Sequence, residues 1–346
     1  AEGRPFDTSN RWVYAKMGVI RKKLLFLSLI SLLLAACSSL THESTPTSAS
    51  ADYAAGLAAH KRGDFKAALE KFKRLALKRN ARRLVLQGNA RAQFSLGFMY
   101  AKGQGVVWDN VQAVKWYRKA ALQGYALGQN NLGVMYEKGR GVAQDDAQAV
   151  KWYRKAALQG YARGQNHLGF MYEDGRGVSQ DSTQAVKWYR KAALQGYTRA
   201  QSNLGHMYAK GRGVSQDDAQ AVKWYRKAAF QGNTLGQSNL GIMYANGRGV
   251  ARDHIQAVKW FHKAALQGYA PAQYNLGLMY SNGRGVPQNY VRAHMWFNLA
   301  SVNVTGEDHK RHSRARDLVA GLMSSKQITE AKRLAAEWKP KKEWRR

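Results

Sequence analysis

The chain has 346 residues, 45% of them hydrophobic, with 55 Lys and Arg against 22 Asp and Glu and a formal net charge of +33. The apolar content supports a buried core, and 11% aromatic residues with only five prolines exclude a disordered or collagen-like chain. A single cysteine excludes an intrachain disulfide framework and any zinc site built from several thiolates.

The first segment with a pattern runs from Met17 to Ala36. It has a basic start (Arg21, Lys22, Lys23), an apolar run from Leu24 to Leu34 and then small residues, the order of an export signal. The run is too short for the roughly 20 helical residues that cross a bilayer. It ends Leu34-Ala35-Ala36-Cys37, which resembles the bacterial lipobox, and that resemblance implies cleavage before Cys37 and a lipid on its thiol. Residues 1–16 precede the expected initiator Met17. Ser38 and Ser39 stand where, in Gram-negative lipoproteins, an Asp directs inner-membrane retention, so the expected site is the outer membrane, with the body in the periplasm or at the surface. Residues 37–51 are rich in Ser and Thr and are expected to form a flexible tether. Cleavage leaves the charge at +29, so the basic character belongs to the body.

Residues 52–89 read as an N-terminal helical cap: Ala-rich helices flank Gly63-Asp64, and Lys78 to Leu86 reads as an insertion. From residue 90 the chain repeats itself. Six of the ten Trp (116, 152, 188, 224, 260, 296) and six of the nine Met (99, 135, 171, 207, 243, 279) are spaced 36 residues apart. Repetition at that period means one supersecondary unit copied along an array. The copies begin at Ala90, Ala126, Ala162, Thr198, Thr234 and Ala270 and span residues 90–305.

Within the second copy, Leu132, Met135 and Tyr136 form a helical stripe around Gly133. A glycine there costs about 1 kcal/mol relative to alanine, and its presence in all six copies predicts close packing against a neighbouring helix. Gly139-Arg140-Gly141 then turns the chain. A second helix opens at Asp145 with Gln148 three residues on, the spacing of a capping box, and Ala149, Trp152, Tyr153, Ala156 and Ala157 form its apolar stripe. Gly160 closes it. A helical hairpin with a stripe on each helix cannot cover itself, so the copies must stack into an all-α solenoid.

The pattern A-x-x-Q-x-x-L-G-x-M-Y-x-x-G-x-G-V-x-x-D-x-x-x-A-V-K-W-Y-R-K-A-A-x-Q-G resembles the Sel-one-like repeat, a relative of the tetratricopeptide repeat. The resemblance implies a right-handed superhelix of helix-turn-helix units. The last copy departs from the pattern at Asn289, Arg292 and Asn298-Leu299. Residues 306–346 read as two polar-faced helices and a basic tail that cap the far end. By the same resemblance, positions 2, 5, 9, 12 and 13 of each copy face a groove. Arg91, Phe94, Phe98, Asn130, Arg163, Asn166, Phe170, Arg199, Ser202 and His206 are the candidate partner-binding residues. This mixture of apolar, amide and guanidinium groups suits a protein or peptide partner.

A second candidate surface is basic. Lys115, Arg118 and Lys119 share one helix face, as do Lys151, Arg154 and Lys155, and Lys187, Arg190 and Lys191. Such a stripe is either a solvated outer face or a site for an acidic protein, anionic lipid, lipopolysaccharide or nucleic acid. No G-x-S-x-G, H-E-x-x-H or Walker A motif is present, and His309 and His312 on a terminal helix are the only paired metal candidates, with packing roles the default. Cysteine-rich relatives linked to β-lactam binding carry paired cysteines in each repeat; this chain carries none, so an envelope hydrolase is the weakest reading. The expectation is a lipid-anchored envelope scaffold that binds protein, with no catalytic residues, cofactor, metal or small-molecule substrate.

Overall fold

The computed structural model describes residues 48–77, 89–302 and 304–340. The segment read as an export signal, Cys37, the expected insertion from Lys78 to Leu86 and the last six residues lie outside the described residues. Sixteen α-helices and no strands form the described residues. Two N-terminal helices, α1 (Ser48–Lys61) and α2 (Phe65–Leu77), precede the array. Helix α1 begins inside the segment expected to be a tether, because Ala49 and Tyr53 pack against the cluster around Phe72.

The six copies supply α3 (Ala90–Lys102) and α4 (Asn110–Leu122), α5 (Ala126–Lys138) and α6 (Asp146–Leu158), α7 (Ala162–Asp174) and α8 (Ser182–Leu194). They continue with α9 (Thr198–Lys210) and α10 (Asp218–Phe230), α11 (Thr234–Asn246) and α12 (His254–Leu266), α13 (Ala270–Asn282) and α14 (Tyr290–Val302). Helices α15 (Gly306–Ala320) and α16 (Ser325–Glu337) close the chain. Along α1 to α15 each helix packs on the next in sequence, and α16 packs back on α14, which makes the array an all-α repeat solenoid.

The close packing expected at the mid-helix glycine is real. A Cβ built on Gly97, Gly133, Gly169, Gly205, Gly241 or Gly277 would stand 2.6–2.8 Å from the ring of Tyr117, Tyr153, Tyr189, Tyr225, Phe261 or Phe297 respectively. The ring of each second helix therefore lies on bare backbone of the first, and this contact sets the separation of the two helices. In the turn, the second glycine packs between repeats: a side chain on Gly177 would collide with the backbone of Asp146 in the preceding copy, and its φ of +65° also favours glycine.

Each second helix of the first five copies is capped by its aspartate. The side chains of Asp109, Asp145, Asp181, Asp217 and Asp253 accept from the amide three residues on at 2.9 Å, and Asn289 does the same for the last. The reciprocal glutamine arm expected there is absent from these caps. Among the described helices both arms form only at Ser324 and Gln327.

A buried glutamine system joins the units. Gln93, Gln129, Gln165, Gln201, Gln237 and Gln273 donate to the carbonyls of Ala76, Ala121, Ala157, Ala193, Ala229 and Ala265 in the preceding second helix at 3.2–3.3 Å. The first five also accept from Gln123, Gln159, Gln195, Gln231 and Gln267 at 2.7–2.9 Å. These bonds satisfy the buried glutamine amides, using helix-end carbonyls that in the array also accept from the closing glycine amide. At the far end Ala335 of α16 and Trp338 just beyond it pack on the cluster around Trp296.

Replacing Gly169 with Ala separates the two opposing effects. Helix propensity favours the variant by about 1 kcal/mol, whereas overpacking against Tyr189 costs about 1–3 kcal/mol. The expected outcome is a lower urea midpoint with native helical content; a higher midpoint would show that the ring is not seated on the glycine.

Candidate functional site

First helices of successive copies touch, α3 with α5, α5 with α7 and α9 with α11, while successive second helices approach one another less closely. The first helices therefore line the inner side of the stack. Along them the solvent reaches positions 2, 6, 9 and 13, a helical spacing. Arg91, Arg163 and Arg199 are exposed at position 2. Phe98, Val134, His206, Ile242 and Leu278 are half-buried at position 9, with Phe170 exposed among them. Apolar groups and arginines thus lie beside one another along this side.

Position 5 is different. Asn130, Asn166 and Ser202 are buried and engaged between repeats rather than presented to a partner. The Asn130 carbonyl oxygen accepts from His167 Nδ1 at 2.9 Å, Asn203 donates to Asn166 Oδ1 at 3.1 Å, and the Ser202 hydroxyl donates to Asn233 Oδ1 at 2.7 Å. Phe94 is half-buried against Tyr117 and Tyr125, with ring centroids 5.7 and 5.5 Å away. The groove row runs instead through position 6, where Asn131, His167 and Asn203 are half-buried. Sequence reasoning passed over that position, yet a recurring mid-helix asparagine, a poor helix former, signals a hydrogen-bond partner.

A polar cluster lies on this side between the second and third copies. The Tyr153 hydroxyl donates to buried Glu137 at 2.6 Å, and Arg176 forms a 3.5 Å ion pair with Glu137 and a bidentate pair with Asp146. Burial raises the Glu137 carboxyl pKa, but hydrogen bonds from Tyr153 and Lys138 outweigh it, and the net shift is downward. Burial beneath Tyr153, 4.8 Å away between ring centroids, lowers the His167 pKa to about 4. His206 is lowered too, mainly by burial. A neutral His167 donates through Nδ1 to Asn130, so its other nitrogen carries no proton.

All nine residues of the basic stripe are exposed. Lys119, Lys155 and Lys191 lie over the rings of Trp116, Trp152 and Trp188 at 4.4–4.6 Å. Arg118, Arg154 and Arg190 donate to the hydroxyls of Tyr136, Tyr172 and Tyr208 in the following copy at 2.8–3.0 Å. The arginine of each cluster thus also ties its copy to the next and the second lysine lies over a ring of its own helix, while Lys115, Lys151 and Lys187 extend into solvent.

His309 and His312 tie the terminal helix to the last copy: their Nδ1 atoms bond to the carbonyls of Ser301 and Ala300 at 3.0 and 2.9 Å. His312 is fully buried and stacks on Tyr274. No group of three His, Cys, Asp or Glu among the described residues is placed to hold a metal. The sequence reading also missed an apolar patch on the first turn of the array. Val107 and Trp108 are 88% and 63% exposed beside Val111, where the next three copies carry Ala143-Gln144, Ser179-Gln180 and Ser215-Gln216.

The shifts at Glu137 and His167 give stability a definite pH slope. His167 has a folded pKa below its unfolded value, so the unfolded chain binds more protons as pH falls from about 6.5 toward 4, and Glu137 acts in the same sense below its unfolded value. Lowering the pH from 7 to 4 is expected to remove on the order of 2 kcal/mol through His167. Urea titrations at the two pH values should show a smaller loss in His167→Asn; an identical loss would assign the slope elsewhere.

Comparison with known proteins places this geometry. The Sel1 repeat model matches residues 90–125, 126–161, 162–197, 198–233, 234–269 and 270–301. A Sel1 repeat protein from Oxalobacter formigenes is 32% identical over 74% of this chain and 98% of its own, with a TM-score of 0.65. The protective antigen c5321 of uropathogenic Escherichia coli, which displays an SLR fold, is 30% identical over 84% of each chain, with a TM-score of 0.34. Immunity protein Pa5087 from Pseudomonas aeruginosa is 20% identical over 72% of this chain and 86% of its own, with a TM-score of 0.41. A search of curated proteins finds no match. With six matched units and the hairpin geometry repeated in each, the chain belongs to the Sel1 repeat family, whose members generally mediate protein–protein interaction and are typically not catalysts.

Proposed function

We propose that this protein is a non-catalytic scaffold of the bacterial cell envelope that binds a protein or peptide partner along its inner row of first helices. One observation carries this reading. Each copy commits its second-helix ring, its Gln, its Leu and its Met to packing, yet leaves positions 2, 9 and 13 at the surface with residues that differ between copies. Apolar groups at position 9 supply contact area, and Arg91, Arg163 and Arg199 at one end of the row supply direction toward acidic groups or backbone carbonyls. The buried Asn130, Asn166 and Ser202 serve the site by fixing the spacing of neighbouring first helices.

The envelope location rests on the Leu34-Ala35-Ala36-Cys37 sequence and its preceding basic and apolar segments. A lipid on Cys37 would hold the solenoid at a membrane while leaving the inner face open.

Photo-cross-linking groups placed at Phe98, Phe170 and His206, and separately at Lys151 and Lys187, test the site. Cross-links to one partner concentrated on the first set, and weakened about tenfold or more by Arg163→Ala with Phe170→Ala, are expected if these two are central contacts. Equal labelling from both sets, or no effect of the paired substitution, would reject the inner face. Metabolic labelling with a fatty acid should mark the wild-type chain and not Cys37→Ser; equal labelling would remove the proposed anchor.

A further inference from the structure

Charge in the array is segregated by end. All ten acidic residues between 90 and 302 stand where a first helix stops and a second begins. Glu137, Glu173 and Asp174 close first helices, Asp146 and Asp218 open second helices, and the five capping aspartates lie one residue earlier. Nine Lys and Arg of the same turns balance them, as in the pairs Arg176 to Asp146 and Arg248 to Asp218. The other eighteen Lys and Arg of this span lie along the second helices or in the first turn of the first helices.

The opposite end, where the second helices of the first five copies stop, carries cations and none of the array's acids. The last residues of four consecutive second helices are also apolar and exposed there: Leu122 at 69%, Leu158 at 71%, Leu194 at 70% and Phe230 at 71%. Each stands three residues beyond a lysine, Lys119, Lys155, Lys191 or Lys227, which places the two groups on one helix face. Because the copies are in register, these pairs recur along one edge. Arg163 and Arg199, exposed in the first turns of α7 and α9, share that edge.

Lysines in a last turn are accounted for by the helix dipole, but the dipole gives no reason for four large apolar side chains in water beside them. A nucleic acid would satisfy the cations and leave most of the apolar row unused; base stacking would need a row of exposed rings, but of the four apolar residues only Phe230 carries a ring, and Trp152, Trp188 and Trp224 of this face are covered by lysines. An anionic bilayer uses both. Its phosphates meet the ammonium groups while leucine and phenylalanine enter the boundary between headgroups and acyl chains. Flexible lysine stems allow the charge to remain at the phosphate level as the apolar side chains descend.

We infer that the edge formed by Leu122, Leu158, Leu194 and Phe230 with Lys119, Lys155, Lys191 and Lys227 docks on an anionic lipid surface. This docking does not use the apolar position 9 residues of the inner row, and it does not require a lipid on Cys37. It orients the solenoid with its second-helix ends toward the bilayer.

The test uses the full chain carrying Cys37→Ser, with vesicles rich in phosphatidylglycerol compared with pure phosphatidylcholine. Binding to the anionic vesicles is expected to be about tenfold or more tighter and to weaken with salt. Replacing the four apolar residues with Gln should lower that affinity about tenfold or more without changing helical content, since each side chain is exposed in the free protein. A nitroxide on Phe230→Cys in the same background should become more accessible to oxygen than to a polar nickel chelate on binding. Equal affinity for both vesicle types, an unaffected Gln variant, or a nitroxide that stays in water would overturn the proposal. The second and third outcomes would leave a surface that takes polyanions such as nucleic acid or an acidic protein by charge alone.

Discussion

The contact of an aromatic ring with a bare glycine backbone sets the form of this molecule. In each hairpin the ring of Tyr117, Tyr153, Tyr189, Tyr225, Phe261 or Phe297 occupies the space that a first-helix side chain would fill. The ring can lie there only because glycine has no Cβ, and the helix accepts the propensity cost in exchange for close approach. With the same contact made six times, the hairpins have nearly the same shape, and units of the same shape stack in register. The recurrence of every surface feature at one end or one face follows from that register.

Between units the bonding is largely polar. The glutamine system joins each first helix to the carbonyl end of the helix before it, and the amides at positions 5 and 6 join neighbouring first helices. Arg118, Arg154 and Arg190 add a bond from each second helix to a tyrosine of the next copy. Buried amides have exacting geometry, because an amide left without partners costs about 1–3 kcal/mol. They therefore favour one stacking register over others that would bury the same apolar area. This arrangement leaves two surfaces that packing does not consume, the inner row of first helices and the basic edge at the ends of the second helices. A solenoid that uses one for a partner and the other for a membrane would present the partner site at a fixed angle to the bilayer.

Much of this was legible in the sequence. The period of 36 residues, the hairpin, the aspartate caps, the glycine turns and the need for a partner at Gly133 all follow from local rules about helix periodicity, capping and backbone conformation. The inner row at positions 2 and 9 also emerged, since exposure on a helix follows a fixed spacing. The segment read as an export signal and Cys37 are features of the sequence alone, and the family pattern extends over the array and not over them.

What tertiary structure decided is where side chains of middling polarity end up. Asn130, Asn166 and Ser202 were expected in the groove and are buried between copies, because whether an amide meets water or another amide depends on how far apart neighbouring first helices stand. The glutamines of each copy were visible as letters, but their role needed the carbonyl of a preceding helix brought within 3.3 Å. The exposure of Leu122, Leu158, Leu194 and Phe230 is of the same kind, since helical spacing alone does not say whether a terminal leucine is covered by the next unit. Local structure depends on interactions a few residues apart, which one sequence reveals; burial depends on distances between units, which only the stacked molecule sets.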